Sequence, residues 1–279
     1  MNDDVLPDIG LVTTEIIDGL RIRISRGGFS NGPVMLFTSP WPESIYAFRD
    51  VLFEIGKFNP LIAIDLPGYG RSEGRRSVMS PEGMGAFILS AAEHFGIKRM
   101  HAIGPDVGTP ALLFAATRRP AVFESLVVGS GATSPELAAG GLKDLIASPP
   151  GALADADGGQ MGAGFVLENA KRKTPPAVLE DYRLSSAGRR FEDATNFVRA
   201  YTRDLPRLKV LLPSIETPVL IVAGKYDPIV PPPNGQLLAD HIRHSRYTLL
   251  EGGHLIWEDA PEEYAANVVS WLRGGYRSV

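Results

Sequence analysis

Hydrophobic and polar residues fall into two rhythms along this chain. Residues 10–17 and 20–24 alternate, with Asp18-Gly19 between them. Two alternating runs joined by Asp-Gly predict a β-hairpin. After it come brief continuous apolar runs at 34–38, 61–65, 100–104, 125–129, 219–224 and 247–250, most of them bounded by Gly, Pro or Asp. Short unbroken runs of this kind predict strands buried on both faces of a parallel sheet. Apolar spacing of the helical period separates them, at 43–58, 81–95, 107–117, 232–242 and 261–272. Ser80 before Pro81 and Glu82 supplies an N-cap, a first-turn proline and a first-turn acid. Strand and helix in alternation predict a doubly wound α/β fold with a mostly parallel sheet.

One region breaks this rhythm. Residues 132–215 contain no convincing buried strand, and 148–164 is rich in Gly, Ala and Pro. Helical spacing returns at 176–184 and 191–202. We read 132–215 as a mostly helical cap inserted into a core formed by 1–131 and 216–279.

Composition narrows the function. At 279 residues, with 44% hydrophobic and 22% charged positions, the chain has the make-up of a globular domain that folds without staples. The net charge of −4 gives no basic face for nucleic acid. With no cysteine there is no thiolate catalysis, disulfide or Cys-bound metal. Met1 to Asp8 lack the basic start and apolar run of a secretory leader, and no apolar stretch reaches membrane-spanning length. The expectation is a cytoplasmic protein acting on a small molecule, as a monomer or homodimer. The five histidines form no metal-binding pattern, and Gly68-x-Gly70 lacks the rest of a dinucleotide turn. No cofactor and no metal are expected.

The run Gly104-Pro105-Asp106-Val107-Gly108 carries the chemistry. An apolar strand ends in small-x-Asp-x-small and a helix begins. Small residues let helix and strand cross closely, which pushes the central side chain into the open and aims the next amide, that of Val107, at the same space. By itself this is also what an N-capping turn looks like. Two later segments change the weighting. Gly224-Lys225-Tyr226-Asp227 follows an apolar strand, and Glu251-Gly252-Gly253-His254 follows the last one.

In these segments the chain resembles the α/β-hydrolase family, with nucleophile, acid and histidine in the family's order over nearly the whole length. Most members place Ser at the elbow; Asp there is similar to epoxide hydrolases and haloalkane dehalogenases. The resemblance implies Asp106 as nucleophile, Asp227 as acid and His254 as base. The other histidines, His94, His101, His241 and His244, read as structural or solvated. An aspartate is already ionised near neutral pH and can attack an sp³ carbon directly, forming an alkyl ester that His254-activated water then hydrolyses.

Further implied contacts come from flanking loops. Ser39-Pro40-Trp41-Pro42 resembles the His-Gly-x-Pro loop of epoxide hydrolases with its first two residues changed. Neither proline has an N–H, so Trp41 is the backbone donor there. Asp65 to Ser72 resembles a structural loop of the same fold. Epoxide opening needs an acid, which cap tyrosines supply in that family; Tyr201 and Tyr182 are the candidates here. Val107 stands where dehalogenases usually carry a halide-binding Trp, so the epoxide reading leads. Haloalkane or haloacid dehalogenase, ester or lactone hydrolase, lyase and non-catalytic binder remain alternatives.

Overall fold

The computed structural model describes residues 5–29 and 31–279; part of the acidic start, Met1–Asp4, lies outside them. The hairpin forms as expected, from β1 (Leu11–Ile17) and β2 (Leu20–Gly28). Asp18 and Gly19 both take positive φ, 50° and 75°. Two successive positive φ values match the right-handed twist of the strands, and Asp-Gly tolerates them. The parallel strands are β3 (Val34–Thr38), β4 (Pro60–Ile64), β5 (Met100–Pro105), β6 (Phe123–Gly129), β7 (Val219–Gly224) and β8 (Ser245–Leu250). The sheet order is β1-β2-β4-β3-β5-β6-β7-β8, and only the β1–β2 and β2–β4 pairs are antiparallel.

The helices are α1 (Leu52–Gly56), α2 (Pro81–His94), α3 (Gly108–Arg118), α4 (Gly140–Ala147), α5 (Gly158–Asn169), α6 (Pro176–Ser186), α7 (Arg190–Arg199), α8 (Tyr201–Leu211), α9 (Pro233–His241), α10 (Ile256–Asp259) and α11 (Pro261–Leu272). Ser80 caps α2 as its sequence requires, accepting from the Gly83 amide at 3.1 Å. Side chains of α2, α3, α8 and α9 build the core on one face of the sheet. Those of α1, α10 and α11 build it on the other. Along β3, Leu36 joins the first core while Met35 and Phe37 join the second. A strand buried on both faces therefore reads as a continuous apolar run.

Residues 43–58 do not form the single helix their spacing predicts. A 3-10 turn at Ile45–Phe48 precedes the short α1. Ile45, Tyr46, Ala47, Phe48, Val51, Leu52 and Ile55 are all buried, and so are the charged Glu43 and Arg49. The segment is enclosed on several sides rather than one, and the chain tightens into i to i+3 bonds, such as Arg49 N–H to the Tyr46 carbonyl. In the glycine-rich stretch 148–164, α5 starts at Gly158, capped by Asp157, whose side chain accepts from the Gln160 amide.

Five helices, α4 to α8, separate β6 from β7. They do not share one surroundings. Helix α8 packs against α2 and α3, and its Asp204 accepts the Glu82 amide at the start of α2. Helix α6 is tied to the sheet by charge: Arg23 of β2 bonds Asp65 after β4 at 2.5 Å and Asp181 of α6 at 2.7 Å. The sheet order reverses direction at β3, whose neighbours are β4 on one side and β5 on the other. Loops leaving β3 and β5 diverge there and open a crevice at the carboxyl ends of the strands.

Candidate active site

Both loops of that crevice supply site residues. Gly104 is the last residue but one of β5 and Gly108 starts α3, and the two meet closely. A Cβ on Gly104 would stand 2.5 Å from Thr38 Oγ1 and 2.6 Å from Leu112 Cδ1, and one on Gly108 would collide with Thr38 Oγ1. The crossing leaves Asp106 at φ 53°, a left-handed conformation uncommon for a side-chain-bearing residue. Its backbone is held on both sides, the N–H donating to the Gly129 carbonyl and the carbonyl accepting the Thr109 amide. The strain is thus over-determined by the turn, a pattern that clusters at functional sites.

The Trp41 amide, after β3, donates to Asp106 Oδ2 at 2.8 Å. The Val107 amide lies on the same side and favours the charged form of that carboxyl group. Burial raises the Asp106 pKa above the ordinary aspartate value, against the opposing pull of the nearby His254 and of these two amides.

Asp227, after β7, bonds His254 Nδ1 through Oδ2 at 2.8 Å. Its Oδ1 accepts the Ile229 and Val230 amides, each at 2.8 Å. With both oxygens occupied, the carboxylate has one orientation. His254 follows β8 and lies between two aromatic rings, Phe165 at 5.9 Å and Trp257 at 6.1 Å. Burial disfavours its charged form, but the Asp227 carboxylate, its hydrogen bond and the Asp106 charge outweigh this and hold the pKa above the usual histidine value. Nε2 points at Asp106 Oδ1 from 3.8 Å. That is outside direct hydrogen-bond range, so the imidazole is free to meet a third group beside the carboxylate.

Asp106 and His254 open onto a cavity of about 670 Å³ whose walls include Trp41, Tyr201 and residues of α4, α5 and α7. The Trp41 indole packs on Phe191 at 4.8 Å. Tyr201 is 2% exposed and borders the cavity, with a pKa raised well above the phenol value by burial and by Asp106. The group stays an O–H donor. Among the described residues no cluster of three or more His, Asp or Glu is placed to hold a metal, and no helix is long and apolar enough to cross a membrane.

A sequence profile described as the alpha/beta hydrolase family matches residues 35–267. The chain belongs to the alpha/beta hydrolase family. It is 23% identical to 3-oxoadipate enol-lactonase 2 of Acinetobacter baylyi, over 88% of this chain and 90% of that one. It is 25% identical to haloalkane dehalogenase 2 of Mycobacterium tuberculosis, over 96% and 99%. The crystal structure of haloalkane dehalogenase DbeA from Bradyrhizobium elkani superposes with a TM-score of 0.82 at 20% identity, over 96% of this chain and 99% of that one. At that identity the superposition speaks for the fold.

Within this alpha/beta hydrolase the sequence-derived site residues separate into two groups. Asp106, Asp227, His254, Trp41, Val107 and Tyr201 converge. Tyr182 does not. Its hydroxyl donates to Glu258 Oε1 at 2.5 Å and meets Arg49 at 3.4 Å, fully buried behind the histidine loop rather than in the cavity. A phenol committed to a buried carboxylate is no substrate donor, so this expectation is corrected. The Asp65 loop is held as expected by Ser72, whose Oγ donates to the Asp65 carbonyl at 2.7 Å, whereas Arg71 contributes its amide, to Asp65 Oδ2.

Sequence reasoning missed a cluster beneath the site. Trp257 Nε1 donates to Glu43 Oε1 at 3.2 Å, and Arg49 pairs Glu258 at 2.9 Å. Burial, then the neighbouring Glu258, pushes the Glu43 pKa well above the ordinary carboxylate value. The cluster joins the Trp41 loop to the His254 loop. Its one sequence signal is the position of Glu43, directly after Trp41-Pro42.

Proposed function

We propose that this hydrolase works through an alkyl-enzyme ester on Asp106, with an epoxide as the substrate that fits best. One observation carries the reading: the Trp41 amide donates to the carboxyl group of Asp106 itself, whose charge the Val107 amide also favours. In a serine-type enzyme such donors serve an oxygen of the substrate. Here they serve the oxygen that becomes negative when water adds to an Asp106 ester. An ester or lactone substrate, which the enol-lactonase relative brings in, makes less use of that arrangement.

In the first step Asp106 Oδ1 attacks an epoxide carbon, the ring C–O bond breaks, and the oxygen takes the proton of Tyr201. In the second, His254 Nε2 takes a proton from water, and the hydroxide adds to the Asp106 carbonyl carbon. The oxyanion at Oδ2 is held by the two amides. Its collapse expels the substrate oxygen, which is protonated by the imidazolium, and releases a diol; the carboxylic acid left at Asp106 returns its proton to the Tyr201 phenolate, restoring both groups. Asp227 orients the ring and stabilises its cation. In this reading α4 to α7 form the cap and α8 returns to the core.

The indole of Trp41 on the same cavity favours one second reading, a haloalkane whose halide leaves toward that N–H. Kinetics of Tyr201→Phe separate the two, because only epoxide opening needs the phenol proton. The covalent route itself is tested by mass spectrometry of His254→Gln incubated with styrene oxide and with 1-bromobutane. An adduct on the peptide containing Asp106 supports the reading, and hydrolysis with no adduct from either compound overturns it.

A further inference from the structure

Helix α5 holds four glycines after its first cavity-side turn begins, and they differ in what requires them. A Cβ on Gly158 would run into the Ser186 carbonyl, and one on Gly162 would come 2.5 Å from Ser186 Oγ. Gly159 is nearly as confined, at 3.0 Å from the Arg183 carbonyl. These three let α5 press against α6. Gly164 is different. It sits in the helix interior at ordinary negative φ, and a Cβ there would meet no atom within 4 Å. Neither packing nor backbone conformation calls for glycine, which weakens a helix relative to alanine. What Gly164 faces is the cavity above Asp106 and His254. Gly141 of α4 borders the same cavity and likewise meets nothing.

The charge of that cavity is equally one-sided. Its charged or titratable lining groups are Asp106, Glu168, His254 and Tyr201, and among the described residues no Lys or Arg borders it. Lys171, close in sequence, lies over the Tyr226 ring instead. A substrate carboxylate would enter an apolar space beside the Asp106 and Glu168 carboxylates with no Lys or Arg to receive it. Tyr201, buried and with no hydrogen-bond partner among the described residues, is the polar group that such a space offers an uncharged oxygen.

We propose that the substrate is an uncharged molecule with a bulky apolar body, and that Gly164 sets the size of the body by leaving room for it. The cavity volume, about 670 Å³, falls in the range of sites for drug-sized ligands, about 300–1,000 Å³. The proposal rests on the Asp106 reading only for where the reacting end lies.

The test has two arms. Binding is followed by quenching of tryptophan fluorescence, Trp41 being on the cavity wall, with 2-naphthylmethanol and 2-naphthoate as neutral and anionic probes of one shape. The alcohol is expected to saturate, and naphthoate to bind at least about 100-fold more weakly. Gly164→Leu is expected to weaken the alcohol at least about tenfold, one missing pocket's worth of apolar contact. Turnover of 2-naphthyl oxirane should fall at least about ten times more than that of propylene oxide in the same variant. Gly164→Ala adds a methyl that meets nothing, so it should raise Tm by about 2 °C, which shows that the glycine is not structural. Equal binding of alcohol and naphthoate, a Gly164→Leu effect that is the same for both oxiranes, or a lowered Tm in Gly164→Ala overturns the proposal. If probes bind as expected but no Asp106 adduct forms in His254→Gln, the size and charge inference stands and the ester mechanism fails.

Discussion

The strand-end site and the helical wall above it are built by opposite rules. At the strand ends the two carboxylates are held by backbone amides, and the His254 ring by one of those carboxylates. Amides hold Asp106 and Asp227, and the elbow glycines are forced by Thr38 and Leu112. On the wall, Leu142, Met161, Phe165 and Phe191 offer apolar surface, and Gly164 offers only space. In the proposed reading the backbone at the strand ends sets the reaction, and the wall side chains, which can change without disturbing it, set the substrate. The two regions are joined by buried charge at α6.

Asp106→Ala should lower kcat at least about 10⁵-fold, as loss of a nucleophile does, in steady-state turnover of any accepted substrate. A residual rate within a hundredfold of wild type would mean that the elbow is not the reacting centre. Asp227→Asn should cost about 10³- to 10⁴-fold in kcat, because the amide no longer fixes the tautomer of His254. At the joint, Arg23→Met leaves Asp65 and Asp181 buried without their partner and should cost about 3 kcal/mol in urea unfolding. If it unfolds like wild type, charge does not tie wall to sheet.

How much of this was legible follows from locality. The Asp-Gly hairpin, the parallel strands and the elbow each depend on a few consecutive residues, and all stand where the pattern puts them. The helix over 43–58 failed because its apolar residues point to more than one neighbour, which a single-face pattern cannot express. Tyr182 was misplaced for a related reason. A tyrosine on a helix reads the same whether its hydroxyl meets solvent, substrate or a buried glutamate 76 residues away. Charged residues such as Glu43, Arg49 and Glu258 read as solvated when taken singly, and only the fold shows that Arg49 pairs Glu258 while Glu43 takes the Trp257 N–H. Gly164 was hidden among glycines that packing does require.

Smaller effects refine the chemistry. Tyr201→Phe should lower kcat for epoxides by about 10- to 100-fold, the loss of one general acid, and leave haloalkane turnover within about twofold. Loss on both substrates would make the phenol a packing group. The pH profile gives the smallest shift. His254 must be neutral to take a proton, and the surrounding carboxylates hold its pKa above the ordinary value. The rate should therefore rise with pH through a limb above about pH 6.5. Removing the Asp227 charge should move that limb to lower pH in the residual activity of Asp227→Asn.

The most direct measurement is a single turnover in heavy-oxygen water with enzyme in excess over an epoxide. If Asp106 forms the ester, the diol of the first turnover carries ordinary oxygen taken from the enzyme, and the Asp106 carboxylate gains the heavy atom. Heavy oxygen in the first-turnover diol, with none in the enzyme, would contradict the account.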